Sequence, residues 1–167
     1  MTDWATITDT PPSPTKGGPL VPPPLLRLAA SPHDAHLLAT FADSSNIIRI
    51  LDVRQPGQAL LELRGHSANI NAIEWSPSRR GMLASGSDDS LVLVWDLLNQ
   101  ANGAVVNGEN GGAGFNGQSG GVKGPAASWR CDHEVGNLSW APQSGLTSQG
   151  GEWVGVAGGR GIWSVKL

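Results

Sequence analysis

One dipeptide position returns three times along this chain, as Ser31-Pro32, Ser76-Pro77 and Ala141-Pro142. The first interval is about 45 residues, and the second matches it once about 20 residues of a Gly- and Asn-rich insertion are removed. A second marker keeps step. Leu51-Asp52 is followed by Trp95-Asp96, and Trp163-Ser164 is expected in the same place in the last unit. Self-similarity at this period narrows the fold more than composition does. Each unit must form one supersecondary structure and bury its apolar face on the next.

The units themselves read as β-structure. Short β-branched and aliphatic runs are predicted as strands: Leu25–Ala30, Leu37–Ala42, Ile47–Val53 and Ala59–Leu63 in the first unit. Ile70–Trp75, Met82–Gly86, Leu91–Leu97 and Ser128–Cys131 follow, then Gly136–Trp140, Trp153–Ala157 and Ile162–Leu167. Turn chemistry such as Asp43-Ser44-Ser45-Asn46 and Pro56-Gly57 separates them, and no 3.6-residue apolar period is sustained. The chain is expected to be all-β, with units at 25–64, 65–131 and 132–167. Residues 10–24 contain so many prolines that an extended connector is expected there. Tract 99–127 is poor in bulky apolar groups and is expected to be a disordered insertion. Residues 1–9, with Trp4-Ala5-Thr6-Ile7, suggest the outer strand of a preceding unit.

A repeat of about 40–45 residues with four strands and a G-H…W-D signature indicates a blade of a β-propeller. The middle unit, GHSANINAIEWSPSRRGMLASGSDDSLVLVWDLL from Gly65 to Leu98, resembles the WD40 repeat. The resemblance implies one buried hydrogen-bond chain through His66, Ser85, Asp89 and Trp95. These residue types suit such a chain, since an indole only donates, a carboxylate only accepts, and hydroxyl and imidazole do both. The flanking units are worn. In the first, Leu51 stands for the Trp, Phe41 for the Ser, and Asp43 comes two residues early. In the third, Gly159-Arg160-Gly161 replaces the turn Asp while Trp163 survives.

Three units do not close a ring, and the third stops one strand short. An incomplete propeller is expected, about three blades of a seven-bladed ring, from a fragment or truncated form. The runs LLRL, LLATFAD, ILDVR and IWSVKL are similar to the transparent-testa-glabra-type WD-repeat adaptors, which include an animal cullin-4-associated factor. That resemblance implies a catalytically inert scaffold whose partners are protein kinases, transcription factors or ubiquitin-ligase components. Asp52-Val53-Arg54 adds an alternative, a substrate receptor of a cullin-4 ubiquitin ligase. Receptors of that kind resemble one another in a W-D-x-R string whose Arg reaches the ligase adaptor, and here Asp52 and Arg54 remain.

Other functions are expected to be absent. Eleven basic against fourteen acidic residues, for a net charge of −3, give phosphate little neutralising charge, so direct nucleic-acid binding is not expected. No apolar run reaches the roughly 18 residues of a membrane span, and no signal peptide opens the chain. A single cysteine, Cys131, excludes an internal disulfide and suggests the cytoplasm or nucleus. His66, Ser85 and Asp89 have the composition of a hydrolase triad, which makes a Ser hydrolase the remote alternative. Triads are recognised by geometry, however, and not by residue type. Gly117–Gly121 fits G-x-S-x-G and Gly112–Gly117 fits G-x-G-x-x-G, both expected from composition alone. Cys131 and His133 lack the four ligands of a structural zinc site, so neither metal nor cofactor is expected.

Overall fold

The computed structural model describes residues 24–99, 121–142 and 152–167. The possible strand at 1–9, the connector up to residue 23, most of the Gly-rich insertion and both of its Gly motifs therefore lie outside the described residues, Gly121 excepted. Among the described residues every regular element is a strand. Strands β1 (Leu25–Ala30), β2 (Leu37–Ala42), β3 (Ile47–Asp52) and β4 (Ala59–Arg64) form an antiparallel meander. Strands β5 (Ile70–Trp75), β6 (Met82–Ser87), β7 (Leu91–Asp96) and β9 (Ala127–Arg130) form a second, and β10 (Val135–Trp140), β11 (Trp153–Gly158) and β12 (Gly161–Lys166) a third. These are three consecutive propeller blades, the last with three strands.

Alternation along the strands decides how the sheets stack. Ala39, Phe41, Ile48, Ile50 and Leu63 from the first sheet pack on Ile70, Ile73, Trp75, Leu83, Leu93 and Trp95 of the second. The opposite face of the second sheet, with Ala72, Met82, Ala84, Val92 and Val94, meets Val135, Leu138, Trp140, Val154 and Val156 of the third. The middle sheet is thus buried on both faces. Period-two side-chain placement lets one strand serve two cores.

The stacking is reinforced at the inner strands by two indoles. Trp75 donates to the Ala29 carbonyl at 2.9 Å, and Trp140 to the Glu74 carbonyl at 3.0 Å. The donor precedes Ser-Pro in one unit and Ala-Pro in the other, so one inter-blade bond is used twice. The Ser31 and Ser76 hydroxyls each accept from an N–H three residues on, Asp34 and Arg79, and shape matching turns after β1 and β5.

Strand β8 (Gly121–Lys123) corrects the expectation for the insertion. It pairs parallel with Leu61–Leu63 on the outer edge of β4, and Ala127 already belongs to β9. An edge strand offers unpaired N–H and C=O groups, so a short run with little apolar content gains backbone bonds there without a core of its own. Lys123 is buried in the process and donates to the Asn99 carbonyl at 2.5 Å.

Strand register corrects two further expectations. Leu38 pairs with Leu51 as Leu83 does with Trp95, and Thr40 pairs with Arg49 as Ser85 does with Leu93. Thr40, not Phe41, therefore holds the place of Ser85, and Phe41 falls on that of Gly86. In the third sheet Val154 pairs with Val165 and Val156 with Trp163. Val165-Lys166 thus holds the place of Trp95-Asp96, and Trp163 stands two residues earlier on the same face. For Trp163 the period-two side-chain placement hides the two-residue offset, because the apolar pattern is unchanged by it, whereas the one-residue offset at Phe41 puts that side chain on the opposite face from Thr40.

Candidate functional site

The chain between β4 and β5 carries His66, whose side chain is buried between the first two sheets. Gly65 before it has a steric reason. A Cβ there would stand 3.0 Å from the Trp95 ring and 3.1 Å from both Leu93 and Pro125. His66 Nε2 lies 2.7 Å from Ser85 Oγ, and Nδ1 lies 3.0 Å from Asp89 Oδ2. Trp95 donates its indole N–H to Ser85 Oγ at 2.9 Å. The structure therefore brings His66, Ser85, Asp89 and Trp95 together in one chain.

The donor sequence fixes the tautomer. Ser85 accepts from Trp95 and donates to Nε2, so Nδ1 carries the proton and donates to Asp89. Asp89 accepts in addition from the backbone N–H of Ser67 at 2.8 Å and of Leu91 at 3.0 Å. The carboxylate thereby ties the β4–β5 passage to the β6–β7 turn. Burial pushes the His66 imidazole below its ordinary range, against the pull of Asp89. A second proton on Nε2 would also leave Ser85 facing two donors. Asp89 stays below the usual carboxylate range because the Ser67 N–H and His66 outweigh its own desolvation. Ser85 is fully buried and its oxygen is already held by an indole and an imidazole, so no open position faces its nucleophilic atom.

The other pair singled out in the sequence lies at the far end of β3. Arg54 donates through its backbone N–H and Nε to Asp52 Oδ1, both at 2.9 Å, and through Nη2 to Oδ2 at 2.6 Å. Asp52 is 5% exposed and Arg54 65%. The Arg54 hydrogen bonds hold the Asp52 carboxyl down at about 2 against burial. The pairing presents a fixed guanidinium to solvent.

A second pair of this kind has no signal in a two-residue motif. Arg80, from the β5–β6 turn, donates through Nε to Asp34 Oδ1 at 3.0 Å and through Nη2 to the same oxygen at 2.5 Å. Asp34 is again buried and Arg80 again exposed, at 6% and 64%. The only trace in the sequence is the common spacing of the turns after Ser31 and Ser76, which puts the two loops side by side. Cys131 is half-buried, with burial pushing its thiol up, and His133 lies against the Trp163 ring at 6.3 Å. Among the described residues no three His, Cys, Asp or Glu side chains gather as a metal site.

Stacked four-strand meanders joined through a His–Ser–Trp hydrogen-bond chain define a class of β-propeller protein. Residues 57–96 match the family described as WD domain, G-beta repeat. An uncharacterised WD repeat-containing protein of Schizosaccharomyces pombe is 32% identical over 152 residues, covering 76% of this chain and 35% of the relative. The DDB1- and CUL4-associated factor 7 homolog of Dictyostelium discoideum is 28% identical over 134 residues, covering 80% of this chain and 34% of that protein. Among solved structures, a chain of the mitotic checkpoint complex superposes with a TM-score of 0.56 at 20% identity, over 84% of this chain and 35% of that one. That likeness shows the fold alone. The present chain is a WD-repeat protein. It spans about a third of the length of these two relatives.

Proposed function

We propose that the chain works as a non-catalytic protein-interaction scaffold in the cytoplasm or nucleus. The observation that carries this reading is the closure of the His66–Ser85–Asp89 group by Trp95: a triad-like set that is satisfied internally and buried holds a blade together instead of meeting a substrate. The three stacked sheets offer rigid loop edges on which partners can be gathered, the usual use of a stiff scaffold with variable loops. A fluorophosphonate probe applied to the whole chain tests the point. No labelling of Ser85 is expected, and stoichiometric labelling would return the hydrolase reading.

A second, finer reading is favoured by Arg54, which is exposed and oriented on a buried carboxylate. The chain would then act as a substrate receptor of a cullin-4 ubiquitin ligase, with Arg54 against the adaptor DDB1. Similarity to a DDB1- and CUL4-associated factor homolog supports the same direction. Arg54→Ala is expected to weaken binding to DDB1 about tenfold, read beside its thermal transition because the substitution also strips a partner from buried Asp52. Parental affinity in that variant would remove Arg54 from the contact.

A further inference from the structure

The first two sheets differ where the receptor reading places its contact. Leu37 pairs with Asp52 and Met82 with Asp96, so Asp96 is the counterpart of Asp52. Two residues on, Arg54 corresponds to Leu98. The middle blade thus carries an exposed leucine, 62% accessible, in the place of the guanidinium. A cation is supplied there from another loop. Arg80 and Leu98 line one open groove of about 680 Å³ together with Arg79, Met82, Asp96 and Asn99.

The two guanidiniums belong to one continuous edge. Asp34, whose carboxylate anchors Arg80, accepts from the Leu37 N–H through its backbone carbonyl at 2.9 Å, and Leu37 is the register partner of Asp52, which anchors Arg54. His36 lies between them, and its carbonyl accepts from the Val53 N–H at 2.9 Å. Each arginine uses Nε and Nη2 on its aspartate, and neither Nη1 donates to a described group. Both side chains are therefore fixed before any partner arrives, with donors turned outward. Fixing a long side chain in advance lowers the ordering cost of association, and arginine is enriched among the residues that dominate interfaces.

We propose that Arg54 and Arg80 form a two-arginine docking edge for an acidic protein surface, and that the groove beside Leu98 receives an apolar side chain of the same partner. The proposal rests on the receptor reading and commits to DDB1 as the partner. It assigns Arg80 the part that residue 98 does not play.

The test is binding of purified DDB1 to the whole chain, measured with the thermal transition of each variant. Arg54→Ala and Arg80→Ala are each expected to weaken binding about tenfold, and the double variant about a hundredfold if the two act independently. Arg64→Ala, at the opposite end of the first sheet, should bind as the parent does. Because Arg80→Ala also strips a partner from buried Asp34, Leu98→Asp serves as a second variant. It breaks no inter-sheet bond, and should likewise weaken binding about tenfold by placing a carboxylate on the edge. If Arg54→Ala weakens binding while Arg80→Ala and Leu98→Asp keep parental affinity, the receptor reading stands and the docking edge falls. Loss of binding in Arg80→Ala with a lowered transition, but not in Leu98→Asp, assigns Arg80 to inter-blade packing and equally overturns the edge. No binding by the parent chain removes the receptor reading and the edge with it.

Discussion

The first and middle sheets share a four-strand meander, nearly the same register and several identical residues, Leu38 with Leu83, Ala39 with Ala84 and Asp52 with Asp96, yet differ in chemistry where the hydrogen-bond chain runs. Where the middle sheet has Ser85 and Trp95, the first has Thr40 and Leu51. Where one buries Leu93, the other buries Arg49, paired with Glu62 at 3.4 Å. Thr40 sends its hydroxyl to the Arg27 carbonyl at 2.6 Å, inside its own sheet. At the turn between the second and third strands, Ser45 accepts from the Ile47 N–H at 3.2 Å, as Asp89 accepts from Leu91. The comparison separates two jobs that a signature motif blurs. Apolar alternation makes a blade; the four-residue chain joins the passage between two blades to the second of them.

The largest expected effect tests the first job. Phe41 is buried against the middle sheet at a position where that sheet itself carries Gly86. Gly86 has no room for more, because a Cβ there would collide with Val135 of the third sheet. At this position, therefore, the first interface is filled by Phe41 from the first sheet, and the second by Val135 from the third. Phe41→Ala is expected to destabilise the chain by about 3–5 kcal/mol in urea unfolding. A loss below about 1 kcal/mol would mean that the first two sheets do not share a close-packed core.

The second job is tested by His66→Ala. The substitution leaves Ser85 without an acceptor and Asp89 without its imidazole donor, while Trp95 keeps the hydroxyl. Each unsatisfied buried group costs about 1–3 kcal/mol, offset in part because Asp89 retains two backbone donors. A loss of about 2–4 kcal/mol is expected on that basis. A chain that melts within a degree of the parent would show that the hydrogen-bond chain contributes nothing to the native state. Ser85→Ala comes next, at about 1–2 kcal/mol, and its cost should not add to that of His66→Ala, because the two groups share one network. Thr40→Val at the matching place is expected to cost about 1 kcal/mol or less, the value of one ordinary hydrogen bond.

Much of this fold is legible in the sequence, for a physical reason. Strand positions follow from β-branched runs and turn residues, which are local. The middle unit's four polar residues stand at spacings that only their common blade explains. What failed were offsets and long-range pairings. Phe41 looked like the substitute for Ser85 because both lie in a strand beside alanines, and only cross-strand pairing shows that Thr40 is the counterpart. Trp163 drew attention through its type, although its register sets it two residues from the place of Trp95. The β8 strand was missed because Gly-Val-Lys carries no strand signal of its own; the unpaired edge of β4 supplies it. The Asp34–Arg80 pair was missed because residues 46 positions apart meet only when two blades stack.

The smallest expected effect is a pH dependence, and it isolates the hydrogen-bond chain of the middle sheet because His66 is the one buried histidine among the described residues. The His66 imidazole titrates below its ordinary value of 6.5 in the folded chain. Between the folded and unfolded values the unfolded state binds more protons, so stability rises with pH across that interval. The contribution is complete above pH 6.5 and is lost as pH falls through that value toward the lower folded one. Asp89 does not mask it, since a carboxylate held below its ordinary 3.8 withdraws its stabilisation only at more acid pH. Urea midpoints measured from pH 8 down to pH 5 should therefore decline for the parent chain. His66→Ala should start lower and stay nearly level across the same range. Should the parent also stay level, the imidazole is not held in its neutral form by burial, and the directional chain from Trp95 through Ser85 to Asp89 loses the proton placement on which it depends.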